Sequence, residues 1–168
     1  PGTPPYIIDA VTLRLASFGG TAQGTTDLVF TFNDGDPSGL VFGPGTTLYQ
    51  TTVTGVTLEP TDGSSAFYFD LVINLPGIWT AGNFNNIGWS IRPVNYAFDG
   101  SFGFQCATAS GQTLGYYTNN AAFYNGTAWS LFAFSQDSET GVANLVTLIE
   151  GRTTPACRAD IGVQGGGY

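Results

Sequence analysis

Residues 6–18 read YIIDAVTLRLASF, and the alternation inside them decides the fold. Val11, Leu13 and Leu15 fall on one side of an extended chain while Thr12 and Arg14 fall on the other, the period-two pattern of a strand with one face buried. Residues 27–34, DLVFTFND, repeat the pattern with Leu28, Phe30 and Phe32. Residues 65–75, SAFYFDLVINL, carry it further: Phe67, Phe69, Leu71, Ile73 and Leu75 point inward, and Tyr68, Asp70 and Asn74 point out or sit at an edge. No comparable stretch shows a helical period with capping residues.

Outward from these three, six more runs read as strands: TTLYQTTVTGVTL (46–58), NIGWSIRPV (86–94), GSFGFQCA (100–107), QTLGYY (112–117), TAWSLFAF (127–134) and ANLVTLIEG (143–151). Turns rich in Gly, Pro, Asn and Asp separate them. Asn125-Gly126, between AAFY and TAWSLF, is the strongest short hairpin signal. The expectation is an all-β chain, a jelly-roll-like β-sandwich of about nine strands with one disulfide. Residues 1–152 form its single domain, and 153–168 form a C-terminal linker or tail tied back by Cys157.

Composition bounds the function. A chain of 168 residues that is 42% hydrophobic and 14% aromatic has the material for one substantial core. Four arginines, no lysine and a net charge of −8 give nucleic acid and anionic membranes nothing to attract, and no apolar stretch is long enough for membrane insertion. The start at Pro1 reads as a processed, mature chain, hence an extracellular or cell-surface location. Two cysteines fit an oxidising compartment. In GSFGFQC, Cys106 shares a face with Phe102 and Phe104, and a Cys106–Cys157 disulfide would close a loop of 157 − 106 = 51 residues. Such a closure is worth about 4 kcal/mol in lost unfolded-state entropy. Two thiols without a histidine cannot fill a tetrahedral zinc shell.

The same inventory points away from catalysis. Without histidine or lysine there is no Ser-His-Asp, Cys-His or Ser-Lys machinery and no Schiff base. Glu59, Asp62, Asp70, Asp99, Asp137 and Glu139 could serve glycoside hydrolysis only as paired carboxylates. None of them has the Glu-x-Asp-x-Glu spacing that lines carboxylates along one strand face. The expected protein is not an enzyme. Calcium is the one cofactor with candidate ligands, because Asn33, Asp34 and Asp36 in FNDGDPSG cluster hard oxygens around a glycine, although Asp-Gly and Asp-Pro also make ordinary turns. Asn125-Gly126-Thr127 is a glycosylation sequon at Asn125, which would make the chain a glycoprotein. Trp79, within LPGIWTAGNFNN, and the pair Tyr116-Tyr117 are the aromatics placed to stack on sugar rings, as a carbohydrate-binding module would require.

The end of the chain adds a resemblance. CRADIGVQGG, with Cys157, Ala159, Asp160, Gly162, Gly165 and Gly166 at the matching positions, resembles the first part of a C-terminal segment on secreted proteins of planctomycete-type bacteria. There, Cys-x-Ala-Asp and a Gly-rich stretch lead into a dockerin-like or sorting module. The resemblance implies a secreted or cell-surface β-sandwich, and the Asp/Asn-rich continuation is missing here. At the other end, Pro4 and Pro5 lack backbone donors while Tyr6, Ile7 and Ile8 are apolar, so these residues are expected to make assembly contacts between subunits. The function expected is therefore a secreted, non-enzymatic structural or surface protein. It would pack against copies of itself in a filament, sheath or layer. A lectin-like module binding polysaccharide is the alternative.

Overall fold

The computed structural model describes residues 6–35, 40, 45–80, 87–105, 120–124, 127–133, 145 and 147–153. It gives backbone alone at 6, 79, 80, 87, 120–124, 131–133 and 153. The described residues are all-β. In chain order the strands are β1 (Tyr6–Phe18), β2 (Gly24–Asp34), β3 (Thr46–Leu58), β4 (Ala66–Thr80), β5 (Ile87–Ala97), β6 (Ser101–Phe104), β7 (Asn120–Tyr124), β8 (Trp129–Ala133) and β9 (Thr147–Thr153).

Two antiparallel sheets carry the architecture. In the first, β1 lies between β4 on one side and β6 and β9 on the other. β9 pairs with β1 from Tyr6 to Leu13 and β6 pairs with it from Leu15 to Phe18, so two short strands divide one long edge. In the second sheet β2 lies between β3 and β5. β7 and β8 pair antiparallel with Tyr124 opposite Trp129, and Asn125 and Gly126 lie outside the described residues.

Each sheet has a long, strongly alternating strand at its centre, and these two strands supply most of the core. Val11, Leu13 and Leu15 of β1 and Leu28, Phe30 and Phe32 of β2 have no solvent exposure, and they cluster with Ile8, Ile73 and Leu75. Residues from both sheets thus share one apolar layer, which is a sandwich-like arrangement. Trp89 of β5 and Phe102 and Phe104 of β6 pack on the cluster, with Trp89 and Phe104 rings 5.9 Å apart. The faces expected for Val11, Leu13, Leu15, Leu28, Phe30, Phe32 and Ile73 are the faces found.

The N-terminal strand belongs to its own domain's ladder. Tyr6, Ile7 and Ile8 pair with Thr80, Trp79 and Ile78 on one side and with Thr153, Arg152 and Gly151 on the other. β1 is a central strand from its first residue, and Ile8 is part of the core. Pro4 and Pro5 lie outside the described residues. A bulge at Asp9 then re-aims the strand. Opposite it, β4 carries the extra residues Leu75, Pro76 and Gly77, where Gly77 has a φ of 75° and an added Cβ would lie 3.3 Å from Ile7 Cγ2.

One end of the molecule is laced across the sheets. Thr61 N–H donates to the Gly19 carbonyl at 2.8 Å, Gly19 N–H donates to Thr61 Oγ1 at 2.9 Å, and Ser17 Oγ donates to the Glu59 carbonyl at 2.7 Å. The buried Phe98 ring leaves no room for a side chain at Gly20 or Gly100.

Candidate functional site

Among the described residues, the outward faces of the two sheets and their edges are the surfaces open to a ligand or partner. The second sheet presents Thr25, Asp27, Val29 and Thr31 on β2, flanked by Thr57, Thr52 and Gln50 on β3 and by Val94, Arg92 and Ser90 on β5. At Asp27 both neighbouring strands bulge. β3 does so through Gly55 at φ 66° and β5 through Asn95 at φ 50°, the one non-glycine with positive φ among the described residues. The Asp27 carboxylate accepts from Gly55 N–H at 2.8 Å and from Asn95 Nδ2 at 2.7 Å. These two hydrogen bonds, the Asn95 bond foremost, hold the Asp27 pKa below the ordinary carboxylate range. One acid thus spans three strands and fixes two strained turns of backbone.

The first sheet presents a different surface. Its outward rows read Tyr68–Ala16–Gly103, Asp70–Arg14–Gln105, Val72–Thr12–Leu148 and Asn74–Ala10–Glu150 across β4, β1 and β6 or β9. Arg14 Nη1 donates to Asp70 Oδ2 at 2.9 Å, directly across the β1–β4 ladder. Around this ion pair the side chains are apolar and open: Tyr68 is 44% exposed, Val72 54% and Leu148 57%. Phe67 and Ile149, which point inward by register, are still 44% and 41% exposed, because each lies on an outer strand of the sheet. Phe67 stacks on Phe69 with ring centroids 6.4 Å apart.

The edges differ as well. Between Ala66 and Asn74, β4 has no proline, glycine, lysine or arginine, and among the described residues no strand pairs with its outer edge. β3 carries the Gly55 bulge, and β5 carries Arg92, Pro93 and the Asn95 bulge, the devices that ordinarily blunt an edge.

The residues singled out from sequence are distributed as follows. Asn33 is buried, 4% exposed, with Nδ2 donating to Thr47 Oγ1 at 3.3 Å and Oδ1 without a partner. The neighbouring Asp34 is exposed. Consecutive positions in a ladder point to opposite faces, so the two side chains do not converge. Asp36 lies outside the described residues. Among the described residues no group of three or more His, Cys, Asp or Glu could hold a metal ion. Trp79 is in β4 opposite Ile7, its backbone alone described. Cys106, Cys157, Tyr116, Tyr117 and Asn125 lie outside the described residues. Of the carboxylates, Asp62 caps its own turn by accepting from Ser64 N–H at 2.9 Å and Ser64 Oγ at 2.7 Å. Asp99 accepts from Thr21 N–H and from Thr21 Oγ1 at 2.6 Å. Both pKa values are lowered by these bonds, which gives the two acids structural employment.

Sequence reading identified Tyr68 and Asp70 as outward but did not connect them with Arg14, Val72 and Leu148. A signal was available in the alternation of each strand; the register that sets the strands side by side was not. Comparison of the chain with protein-family models, curated proteins and solved structures finds no match.

Proposed function

We propose that this protein is an extracellular, non-enzymatic structural module that packs against copies of itself through its first sheet. The observation that carries the reading is the uneven placement of open apolar side chains: Phe18, Phe67, Tyr68, Val72, Leu148 and Ile149 lie on that sheet, against Leu48 and Tyr96 on the second. An exposed cluster of this kind on an acidic, charge-poor chain is a surface suited to being covered. Extracellular placement rests on the cysteine pair and on the resemblance of the C-terminal residues, and the sandwich, its jelly-roll order and the Cys106–Cys157 bridge belong to the same reading. Light scattering and electron microscopy of the purified chain over a range of concentrations test it. Ordered oligomers or filaments are expected, and a chain that stays monomeric at every concentration overturns it.

A second reading draws on Tyr68, which sits beside the Asp70–Arg14 pair on the same outward face. An aromatic platform next to charged hydrogen-bonding groups is the composition of a sugar-binding surface. Sedimentation with insoluble polysaccharides separates the two readings, since a binder would be depleted from solution as a monomer and Tyr68→Ala would restore it.

A further inference from the structure

The outer edge of β4 is the most aggregation-competent feature of the described surface. From Ala66 to Asn74 it offers an uninterrupted row of backbone donors and acceptors, flanked outwardly by Tyr68 and Val72 and inwardly by the Phe67–Phe69 stack. Its one charge, Asp70, is already tied to Arg14. The natural complement of such an edge is another extended strand, since only a strand answers its backbone groups in register.

We infer that the occupant is β4 of a second copy, paired antiparallel about a two-fold axis that runs normal to the sheet midway between the two Phe69 residues. This names the contact within the self-packing reading above and rests on it. A two-fold along the sheet normal keeps both inner faces on the same side, so it must pass midway between two copies of one residue, and within Ala66–Asn74 the choices that pair seven or more residues of each strand are Phe69, Asp70 and Leu71. An axis at Asp70 sets the two carboxylates against each other, which is unfavourable for directly opposed like charges. An axis at Leu71 drives Pro76, which has no N–H, opposite Ala66 of the second copy. The axis at Phe69 avoids both. It sets Tyr68 opposite Asp70 of the second copy, where a phenol O–H meets a carboxylate. It also sets Ala66 opposite Val72 and Phe67 opposite Leu71, and brings the two Phe69 rings together. The Phe67–Phe69 stacks of both copies then run into one aromatic row, which covers the inward-pointing but exposed Phe67. The ladder from Ala66 to Val72 is about 24 Å long. By itself it falls short of the ~800 Å² per partner of a standard interface, so the pairing is weak and concentration-dependent.

Disulfide trapping tests both the edge and the axis. Tyr68→Cys and Asp70→Cys chains are mixed at high concentration under oxidising conditions, and bridges are mapped by peptide mass spectrometry. The expected product is a bridge between position 68 of one chain and position 70 of the other, at least about tenfold above either homodimer. With the axis at Phe69, two copies of position 70 are offset by two residues and one strand spacing, roughly 8 Å between Cα atoms, beyond disulfide reach. A dominant bridge between two copies of position 70 overturns the axis. Val72→Lys, an exposed substitution that each copy contributes once, is expected to weaken self-association roughly tenfold while leaving the melting temperature of the single chain nearly unchanged. Assembly that persists in Val72→Lys with no bridge in the mixture overturns the β4 pairing yet leaves self-packing standing. A native chain that never associates overturns both.

Discussion

In the first sheet β1 sends Val11, Leu13 and Leu15 inward, and in the second β2 sends Leu28, Phe30 and Phe32 to meet them; turned outward, the two sheets have little in common. The second sheet is the more polar one, with Leu48 and Tyr96 its exposed large hydrophobics. Its outer face is largely Thr, Ser and Gln, its edges carry bulges and Pro93, and Asp27 clamps three strands at the level where both neighbours bulge. The first sheet keeps a straight edge in β4 and apolar side chains in the open, relieved by the exposed ion pairs Arg14–Asp70 and Arg152–Asp9. Identical inward chemistry with opposite outward chemistry separates what the fold needs from what a partner needs.

The largest effects should ignore this difference, because the core is common property. Leu13→Ala and Leu28→Ala are each expected to cost about 2–5 kcal/mol, and Phe30→Ala about 3–5 kcal/mol, measured by denaturant unfolding. If one sheet's core residue proved nearly neutral while its counterpart did not, the two sheets would not share a single core, and the comparison would fail at its base.

Next come the glycines. Gly24→Ala sets a new Cβ into the Ala97 carbonyl and Phe98, neither of which can retreat, so overpacking of about 1–3 kcal/mol is expected. Gly55→Ala meets nothing within 4 Å and pays only for its φ of 66°, about 1–2 kcal/mol. Gly55→Asn should recover part of that loss, since asparagine already occupies the matching bulge at position 95. Equal destabilisation by both Gly55 variants would show that the Asp27 level is held by something other than backbone conformation.

A smaller effect is the acid sensitivity of the clamp. Asp27, Asp62 and Asp99 all have pKa values lowered by hydrogen bonds to their charged forms. A depressed folded-state pKa stabilises above the unfolded value, near 3.8, and that contribution is lost as pH falls below it toward the folded value. The melting temperature should therefore decline as pH drops below about 4, and Asp27→Asn should flatten part of the decline. A profile unchanged by Asp27→Asn would mean that the Gly55 and Asn95 bonds do not favour the ionised form.

These particulars show what the sequence could tell. Alternation placed nearly every core residue on its proper face, because burial on one side of a strand leaves a period-two record in the residues themselves. Asp27, Gly55 and Asn95 left no such record. The three are distant along the chain and meet only once β2 is flanked by β3 and β5, so their relation is a matter of register. Tyr6 to Ile8 misled for a related reason. The prolines before them suggest a strand leaving the domain, whereas Tyr6, Ile7 and Ile8 pair with β4 on one side and β9 on the other. The outward patch was half legible: Tyr68 and Asp70 were read as outward, but Arg14 and Leu148 join them only through pairing across β1.

The smallest effect expected is also the one that most directly weighs the two outer faces. Arg14 and Asp70 form a good bond at 2.9 Å, but their side chains are 37% and 52% exposed, so water competes for both charges and salt screens what is left. A double-mutant cycle with Arg14→Gln and Asp70→Asn should give a coupling of about 0.2–1 kcal/mol in dilute, monomeric protein, shrinking as salt is added. Asp27, by contrast, acts on backbone at two bulges, and its removal should lower the melting temperature more than either half of the ion pair. The contrast predicts that the first sheet's polar pair does little for folding and is free to serve at a surface. A coupling above about 2 kcal/mol, insensitive to salt, would place the pair in the same structural role as the Asp27 clamp and would remove the distinction between a finished sheet and an open one.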